Sequence, residues 1–220
     1  ASPELKSLDL SGFNTSKVKN MTYMFYDAGK IETLDLSEFD TSNVTTMYGL
    51  FNGMRALKNL NISSFNTQNV TEMQEMFQYN SSLTSLDLLH FDTRKVTSMK
   101  NMFYGLSNVT SLDLSSFDTR NVKQMDNMFQ GVSKVPTLRL NNFNTEKVEN
   151  MDGMFWNCVS LGTLDLSSFR TPKLKIMRSM FYGMSGLMNI NLSTFDTSNV
   201  TNMSSLFEGV SRLTELDLSS

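Results

Sequence analysis

The chain has 220 residues, of which 40% are hydrophobic and 19% charged, a composition typical of a soluble globular protein. Its formal net charge of -3 argues against DNA, RNA or an anionic membrane as partner, because these select clustered Lys and Arg in excess of acids. No stretch is apolar over the roughly 18 residues that a membrane helix needs, so we expect no membrane insertion of this segment.

The dominant feature of the sequence is a repeat with a period of 26 residues. Position 1 of the successive units is occupied by Leu5, Ile31, Leu57, Leu83, Val109, Val135, Leu161, Leu187 and Leu213. Eight complete repeats are therefore followed by a partial ninth from Leu213. A strict period of this length is typical of a solenoid, so we predict one solenoid domain over residues 1–220, cut from a longer array of repeats.

Each repeat begins with a predicted strand. Positions 4 and 6 are apolar with a polar residue between them, as in Leu112, Asp113 and Leu114. This alternation predicts a short strand with one buried face. Strands at a fixed interval predict a parallel sheet with one strand from every repeat.

The second half of each repeat has helical spacing. Val122, Met125, Met128 and Phe129 occupy positions 14, 17, 20 and 21, which is the face of a short helix or 3-10 turn. Position 23 is Gly in five repeats, and Gly suits the left-handed residue that ends a helix. The fold class predicted is an α/β repeat solenoid with one short parallel strand and one short helix or 3-10 turn per repeat.

Phe and Met are abnormally frequent, and the repeat explains both. All 16 Phe fall at positions 9 and 21, and Met fills position 17 of every complete repeat. A sulfur-rich metal site or an aromatic ligand ladder is one interpretation. Stacked core is the interpretation that the spacing favours.

Two polar positions also have competing interpretations. Thr at position 11 could form a flat array that binds a periodic lattice such as ice, but a local turn with the Asp or Asn before it is favoured. Position 5 could bind divalent cations or a basic partner, but a solvated face is favoured. Its acidic and amide residues are Asp9, Asp35, Asn61, Asp87, Asp113, Asp165, Asn191 and Asp217.

Departures from the repeat are the candidate binding residues, because the core demands regularity and a ligand site demands difference. The fourth repeat carries the only histidine, and the sixth and seventh carry basic and amide residues where neighbours have Asp or Ser. A tryptophan at position 22 is a further candidate for a glycan or protein contact. The predicted binding residues are His90, Arg139, Asn141, Asn142, Trp156 and Arg170. Neutral drift between repeats explains the departures about as well.

The sequence offers no set of residues for catalysis. His90 has no second histidine with which to form a zinc site, and Cys158 lies at apolar position 24, where it is expected to pack as a small hydrophobe. There is no phosphate-binding loop motif. We predict a protein that is not an enzyme and has no cofactor or metal.

The stretch INLSTFDTSNVTNMSSLF, at 190–207, resembles the bacterial surface protein 26-residue repeat, a BspA-like relative of the leucine-rich repeat. The resemblance implies a right-handed coil like that of leucine-rich repeats, placed outside the cell by a wall or lipoprotein anchor that lies beyond this segment. It also implies adhesion to a host matrix protein, mucin, glycan or another bacterial surface component. The alternative is a spacer that projects other domains and binds nothing, and uncapped apolar ends predict end-to-end self-association.

Overall fold

The computed structural model describes residues 4–216, so Asp217 lies outside the described residues. Each repeat forms one coil, and consecutive repeats stack on one another. Parallel β-bridges join position 16 of neighbouring coils through the whole series Asn20, Thr46, Glu72, Ser98, Gln124, Asn150, Ile176 and Asn202. The predicted repeat solenoid is therefore confirmed.

Four short strands occur at positions 3 to 5 of the repeat. They are β1 (Thr33–Asp35), β2 (Asn59–Asn61), β3 (Thr163–Leu164) and β4 (Asn189–Ile190). β1 pairs in parallel with β2, and β3 pairs in parallel with β4. In the repeats between β2 and β3, residues 83–160 contain no strand. The prediction of one strand in every repeat is therefore too regular.

On the strand side, the backbone hydrogen bonding between adjacent coils is weakest in the middle of the solenoid. There the amide nitrogen of Thr110 lies 3.4 Å from the carbonyl oxygen of Thr84, longer than the usual distance of about 2.9 Å. On the strand side at either end, the Lys58 amide to Glu32 carbonyl distance is 2.8 Å and the Met188 to Gly162 distance is 2.9 Å.

The predicted helix is not confirmed, since residues 4–216 contain no helix. The segment forms consecutive turns instead, and the amides of positions 17, 19, 21 and 23 donate to carbonyls of the next coil. In the fourth repeat these bonds are Met99 to Gln124, Asn101 to Asp126, Phe103 to Met128 and Gly105 to Gln130, at 2.8–3.0 Å. A helix would keep those amides within one coil, so stacking has replaced helical bonding.

Two positions of every complete repeat have positive φ. Position 23 is left-handed as its Gly residues predict, for example in Gly105 with φ 75°. Position 19 is left-handed too, even where it is Tyr23 or Glu75. Both are the third residue of a turn closed by a backbone hydrogen bond, where type II turns require positive φ.

The core consists of the apolar positions stacked in register. Position 21 forms a continuous column of phenylalanines from Phe25 to Phe207, with neighbouring ring centroids 5.4–6.0 Å apart. Position 9 and position 17 are buried in seven of eight complete repeats. The exceptions are Phe13, 58% exposed, and Met203, 41% exposed, which lie in coils with a neighbour on one side only.

Threonine at position 11 ties adjacent coils together. The Thr41 hydroxyl donates to the carbonyl of Asn66 at 3.0 Å and accepts from the amide of Asn66 at 2.7 Å. The same pair of bonds recurs from Thr15 to Thr171, and all seven threonines are at most 5% exposed. The local turn is formed by the residue at position 10 and not by the threonine. Its carboxylate or amide oxygen accepts a hydrogen bond from the backbone amide of position 12. The exposed lattice-binding array is excluded for these seven residues.

Candidate functional site

A cleft of about 520 Å³ lies on the strand side between the fifth and sixth coils. We call it the Arg139 cleft. It is lined by Ser111, Leu112, Asp113, Leu114, Ser115, Thr137, Arg139, Asn141 and Asn142. Three of the six predicted binding residues therefore converge on one surface.

The two coils that form the Arg139 cleft differ at position 5, which is Asp113 in the fifth repeat and Arg139 in the sixth. In the preceding coil the Asp113 carboxylate accepts the amide of Ser115 at 2.9 Å, which closes a turn. The hydrogen bonds from the Ser115 amide and hydroxyl lower the pKa of Asp113, and the charge of Arg139 lowers it further. Arg139 cannot close the equivalent turn, since a guanidinium has no acceptor.

Asn142 and His90 share position 8 and a structural role. The Asn142 side-chain amide donates to the carbonyls of Leu114 and Phe117, at 3.0 and 2.8 Å. The His90 Nε2 lies 2.9 Å from the carbonyl oxygen of Ile62. Ser64 at the same position makes the corresponding bond through its hydroxyl. Both predicted residues therefore bridge adjacent coils, and His90 lies two coils away from Arg139.

The remaining two predicted residues lie elsewhere. The Arg170 guanidinium donates to the carbonyls of Ser167 and Phe169, both at 2.9 Å. Trp156 packs against Tyr182 with ring centroids 4.8 Å apart, at position 22. The six residues thus do not form a single site.

A second cleft, of about 640 Å³, spans the first three coils on the side of positions 19 to 25. We call it the tyrosine cleft. It is lined by Tyr23, Tyr26, Asp27, Asn52, Gly53, Arg55, Glu75, Gln78 and Tyr79. The sequence-based predictions did not include this cleft, although Tyr79 at position 23, where Gly is usual, is a departure that the sequence shows.

Glu75 organises the tyrosine cleft. Its carboxylate accepts the Tyr23 hydroxyl and the Asn52 amide, each at 3.0 Å, and the Tyr48 hydroxyl at 3.2 Å. The Asn52 amide also donates to Oε1 of Gln78 at 3.0 Å. Burial, together with hydrogen bonding to Tyr48 and Glu75, raises the pKa of the Tyr23 phenol well above its ordinary value.

The other features with possible chemical reactivity are the single cysteine and any cluster of metal-binding side chains. Cys158 is buried, its thiol donates to the carbonyl of Phe129, and burial raises its pKa to about 12. Within residues 4–216 no three His, Cys, Asp or Glu side chains are grouped so that they could hold a metal ion. The same part of the chain has no helix that could span a bilayer.

One protein family matches the chain. It is described as "Mycoplasma protein of unknown function, DUF285", and it matches the overlapping ranges 2–111, 80–187 and 106–220. No curated protein matches the sequence.

The solved structures that resemble the chain include bacterial leucine-rich repeat proteins. That of Treponema pallidum (T. pallidum) is 15% identical, with a TM-score of 0.40, and the match covers 88% of this chain and 70% of that one. That of Eubacterium ventriosum is 19% identical, with a TM-score of 0.48 and coverage of 90% and 57%. That of Bacteroides ovatus is 15% identical, with a TM-score of 0.34 and coverage of 90% and 69%. The chain thus spans just over half of the Eubacterium protein.

Proposed function

The chain belongs to the DUF285 family, and we propose that it is an extracellular bacterial surface module that binds a protein or glycan partner through the faces of its solenoid. Its repeats form a stacked coil, so binding residues must lie on the outer faces. The Arg139 cleft is the face that we propose as the primary contact.

The observation that carries this proposal is the set of unpaired donors in the Arg139 cleft. Arg139 and Asn141 are both exposed. Neither side chain has a hydrogen-bond partner among residues 4–216, so a guanidinium and an amide are free to bind a ligand. Arginine is enriched among the residues that dominate binding energy at interfaces, because its planar fork recognises carboxylates with two hydrogen bonds.

The ligand class follows from these donors. Free N–H groups beside the hydroxyls of Ser and Thr suit a partner rich in acceptor oxygens, such as a matrix-protein loop with a single carboxylate, a mucin or another bacterial surface component. Asp113 at the edge of the cleft disfavours partners that carry several negative charges close together.

The fifth repeat supplies an exact template for a test that leaves the fold intact. Arg139→Asp, Asn141→Ser and Asn142→Ser together give the sixth repeat the residues that Asp113, Ser115 and Ser116 provide one coil earlier. The labelled protein is screened against immobilised matrix proteins, mucins and bacterial envelope fractions. We expect the triple variant to lose binding by at least about tenfold, the effect of one lost arginine anchor.

A matched control changes positions 5 and 8 in another coil. Asn191→Asp with Thr194→Ser reverts the eighth repeat, and binding should be retained. The proposal fails if the triple variant binds as tightly as the unchanged protein while both melt at the same temperature, or if no partner binds the unchanged protein.

The alternative function is a spacer that holds other domains away from the cell envelope. It is favoured by the continuous phenylalanine column and threonine ladder, which join each coil to the next and make a stiff rod. Deletion of one whole repeat, residues 109–134, in the parent protein distinguishes the two functions. A spacer should lose reach only in proportion to length, and the Arg139 triple variant should then behave as the unchanged protein.

A further inference from the structure

The tyrosine cleft has features of a second binding site, separate from the Arg139 cleft. Tyr26 is 46% exposed, and Tyr23 packs edge-on against it with centroids 5.1 Å apart. Tyr23 is in turn fixed by its hydrogen bond to Glu75. Tyr26 is therefore a supported aromatic surface that is open to a ligand.

The floor of the tyrosine cleft carries fixed polar groups with unused capacity. Asn52 and Gln78 are 6% and 9% exposed, and the hydrogen bond between them fixes both side chains. The Asn52 side-chain nitrogen donates both of its protons, one to Gln78 and one to Glu75. In the described part of the chain, the side-chain nitrogen of Gln78 and the side-chain oxygen of Asn52 have no partner. One amide donor and one amide acceptor therefore remain without a partner among the residues that line the cleft.

The rim of the tyrosine cleft adds two charged groups of opposite sign. The Asp27 carboxylate has no partner within residues 4–216, and its Oδ1 lies beside Gly53, where an added Cβ would be 3.3 Å from it. The Arg55 guanidinium lies 5.1 Å from the centroid of the Tyr79 ring. The Glu75 carboxylate already accepts three hydrogen bonds, so Asp27 is the acidic group left for a ligand.

These charges exclude two ligand classes. A cationic ligand would use the tyrosine faces and the carboxylates, but the chain's own Arg55 already occupies the cation–π position over Tyr79 and would repel it. An anionic ligand would meet Asp27 and Glu75 on the same surface. A neutral ligand avoids both penalties.

We propose that the tyrosine cleft binds a neutral saccharide of a few sugar units, with Tyr26 stacked on a sugar ring and Asp27, Asn52 and Gln78 hydrogen-bonded to its hydroxyls. A sugar ring presents an apolar C–H face to an aromatic ring and hydroxyls that both donate and accept at its edge. Tyr combines an apolar body with a polar end, and planar carboxylates and amides fix hydroxyl pairs. The cleft volume, about 640 Å³, lies in the range of small-molecule sites.

The repeat provides substitutions that test each role without disturbing the coil. Tyr26→Gln places at position 22 the residue that Gln78 and Gln130 carry there, and Asp27→Asn places at position 23 the residue that Asn157 carries with φ 57°. Tyr182→Gln makes the first change at the same position in the seventh repeat, far outside the cleft, and is the control.

The experiment is a glycan array followed by calorimetric titration with lactose, maltotriose and chitobiose, and with sialyllactose and a polylysine peptide as charged probes. We expect binding to at least one neutral glycan, weakened about tenfold or more by Tyr26→Gln and by Asp27→Asn. Tyr182→Gln should change the affinity less than about twofold. The Arg139 triple variant should keep its saccharide affinity, so this result is independent of the primary contact proposed above.

Several outcomes would overturn the saccharide site. These are no binding to any neutral glycan, binding of charged probes alone, or neutral-glycan affinity that Tyr26→Gln leaves unchanged. Capture of a protein epitope by this cleft, with no glycan bound, would likewise overturn it. Melting temperatures of all variants establish that a lost affinity does not reflect a lost fold.

Discussion

Thr93 holds both polar groups of a single residue in the next coil. Its hydroxyl donates to the carbonyl of Asp118 at 3.0 Å and accepts from the amide of Asp118 at 2.8 Å. Thr93 is fully buried, so water cannot replace either bond there. The hydroxyl therefore acts as an additional rung between two coils.

Removal of the Thr93 hydroxyl should destabilise the solenoid. Thr93→Val keeps the shape but leaves the amide and carbonyl of Asp118 without their partner, and we expect a loss of about 2 kcal/mol in the free energy of unfolding. Thr93→Ser keeps both hydrogen bonds and loses one methyl group, at about 1 kcal/mol. Urea unfolding followed by circular dichroism measures both. Equal losses for Val and Ser would show that packing, and not the hydroxyl, provides the stability.

The phenylalanine column should transmit cooperativity along the solenoid. Phe103 is fully buried between Phe77 and Phe129, at centroid distances of 6.0 and 5.8 Å. Phe103→Ala should cost about 3 to 5 kcal/mol. Because each coil contacts only its neighbours, the change should also split unfolding into two transitions. Differential scanning calorimetry would detect the split.

The control for this prediction is the phenylalanine at the exposed end. Phe13 is 58% exposed, so Phe13→Ala should change stability by less than about 0.5 kcal/mol. A single sharp transition in Phe103→Ala, with a loss similar to that of Phe13→Ala, would contradict a continuous core.

The core was predictable from sequence because burial leaves a periodic signal. Any coil that stacks in register must repeat its apolar side chains, and Phe129 and Met125 recur at the same positions in repeat after repeat. The glycines of position 23 indicated positive φ for a related reason, since few other residues adopt it easily. These inferences needed no knowledge of which coil bonds to which.

The hydrogen bonding was not predictable, because its partners lie one repeat away. The spacing of Val122, Met125 and Met128 is the same for a helix and for a chain of turns, and only the destination of the amides distinguishes them. Likewise, a threonine bonded within its own turn and one bonded to the next coil leave the same letter in the sequence. The strand prediction was too regular because short strands depend on the local spacing of coils.

The candidate sites show the same difference. A residue that departs from its own repeat was predictable, whereas a contact between repeats was not. Arg139 and Asn141 were found as departures within one repeat, and they share one cleft. His90 was a departure too, yet its ring makes the bond that serine makes elsewhere at position 8. The tyrosine cleft combines residues of three repeats, so no single repeat contains its pattern.

A buried amide in the core should limit stability. Asn80 is fully buried, its side-chain nitrogen donates to the carbonyl of Phe51 at 2.8 Å, and its side-chain oxygen has no partner. The Phe51 carbonyl also accepts the Met54 amide, so it stays bonded if Asn80 is replaced. Asn80→Leu, which installs the residue of Leu106, should stabilise by about 1 kcal/mol. Thermal unfolding measures the gain.

A smaller substitution separates the two effects at this position. Asn80→Ala removes the unpaired oxygen but leaves a cavity, so it should stabilise less than Asn80→Leu or destabilise. If Asn80→Leu lowers the melting temperature more than Asn80→Ala does, the amide contributes net stability and this prediction is wrong.

Acid should destabilise the solenoid through the carboxylates that close its turns. Hydrogen bonds from the Ser37 amide and hydroxyl lower the pKa of Asp35, and those from the Ser42 hydroxyl and amide lower the pKa of Asp40. The unfolded chain therefore binds more protons than the folded chain as the pH falls below the ordinary aspartate value of 3.8. The stabilisation is complete above that value and is lost as the pH falls through the lowered pKa values. The urea midpoint should thus fall as the pH is lowered from about 4 through the lowered pKa values of these carboxylates.

Asparagine at these positions should remove the acid sensitivity without removing the turn. Asn61 and Asn66 close the same turns in the next repeat with an amide oxygen, which does not titrate in this range. Asp35→Asn with Asp40→Asn should therefore reduce the pH dependence of the urea midpoint, because the acceptor remains and the titrating group is gone. The reverse change, Asn14→Asp, adds a carboxylate that accepts the Ser16 amide and should increase the dependence. Identical pH profiles for all three proteins would show that the acid sensitivity arises from other groups.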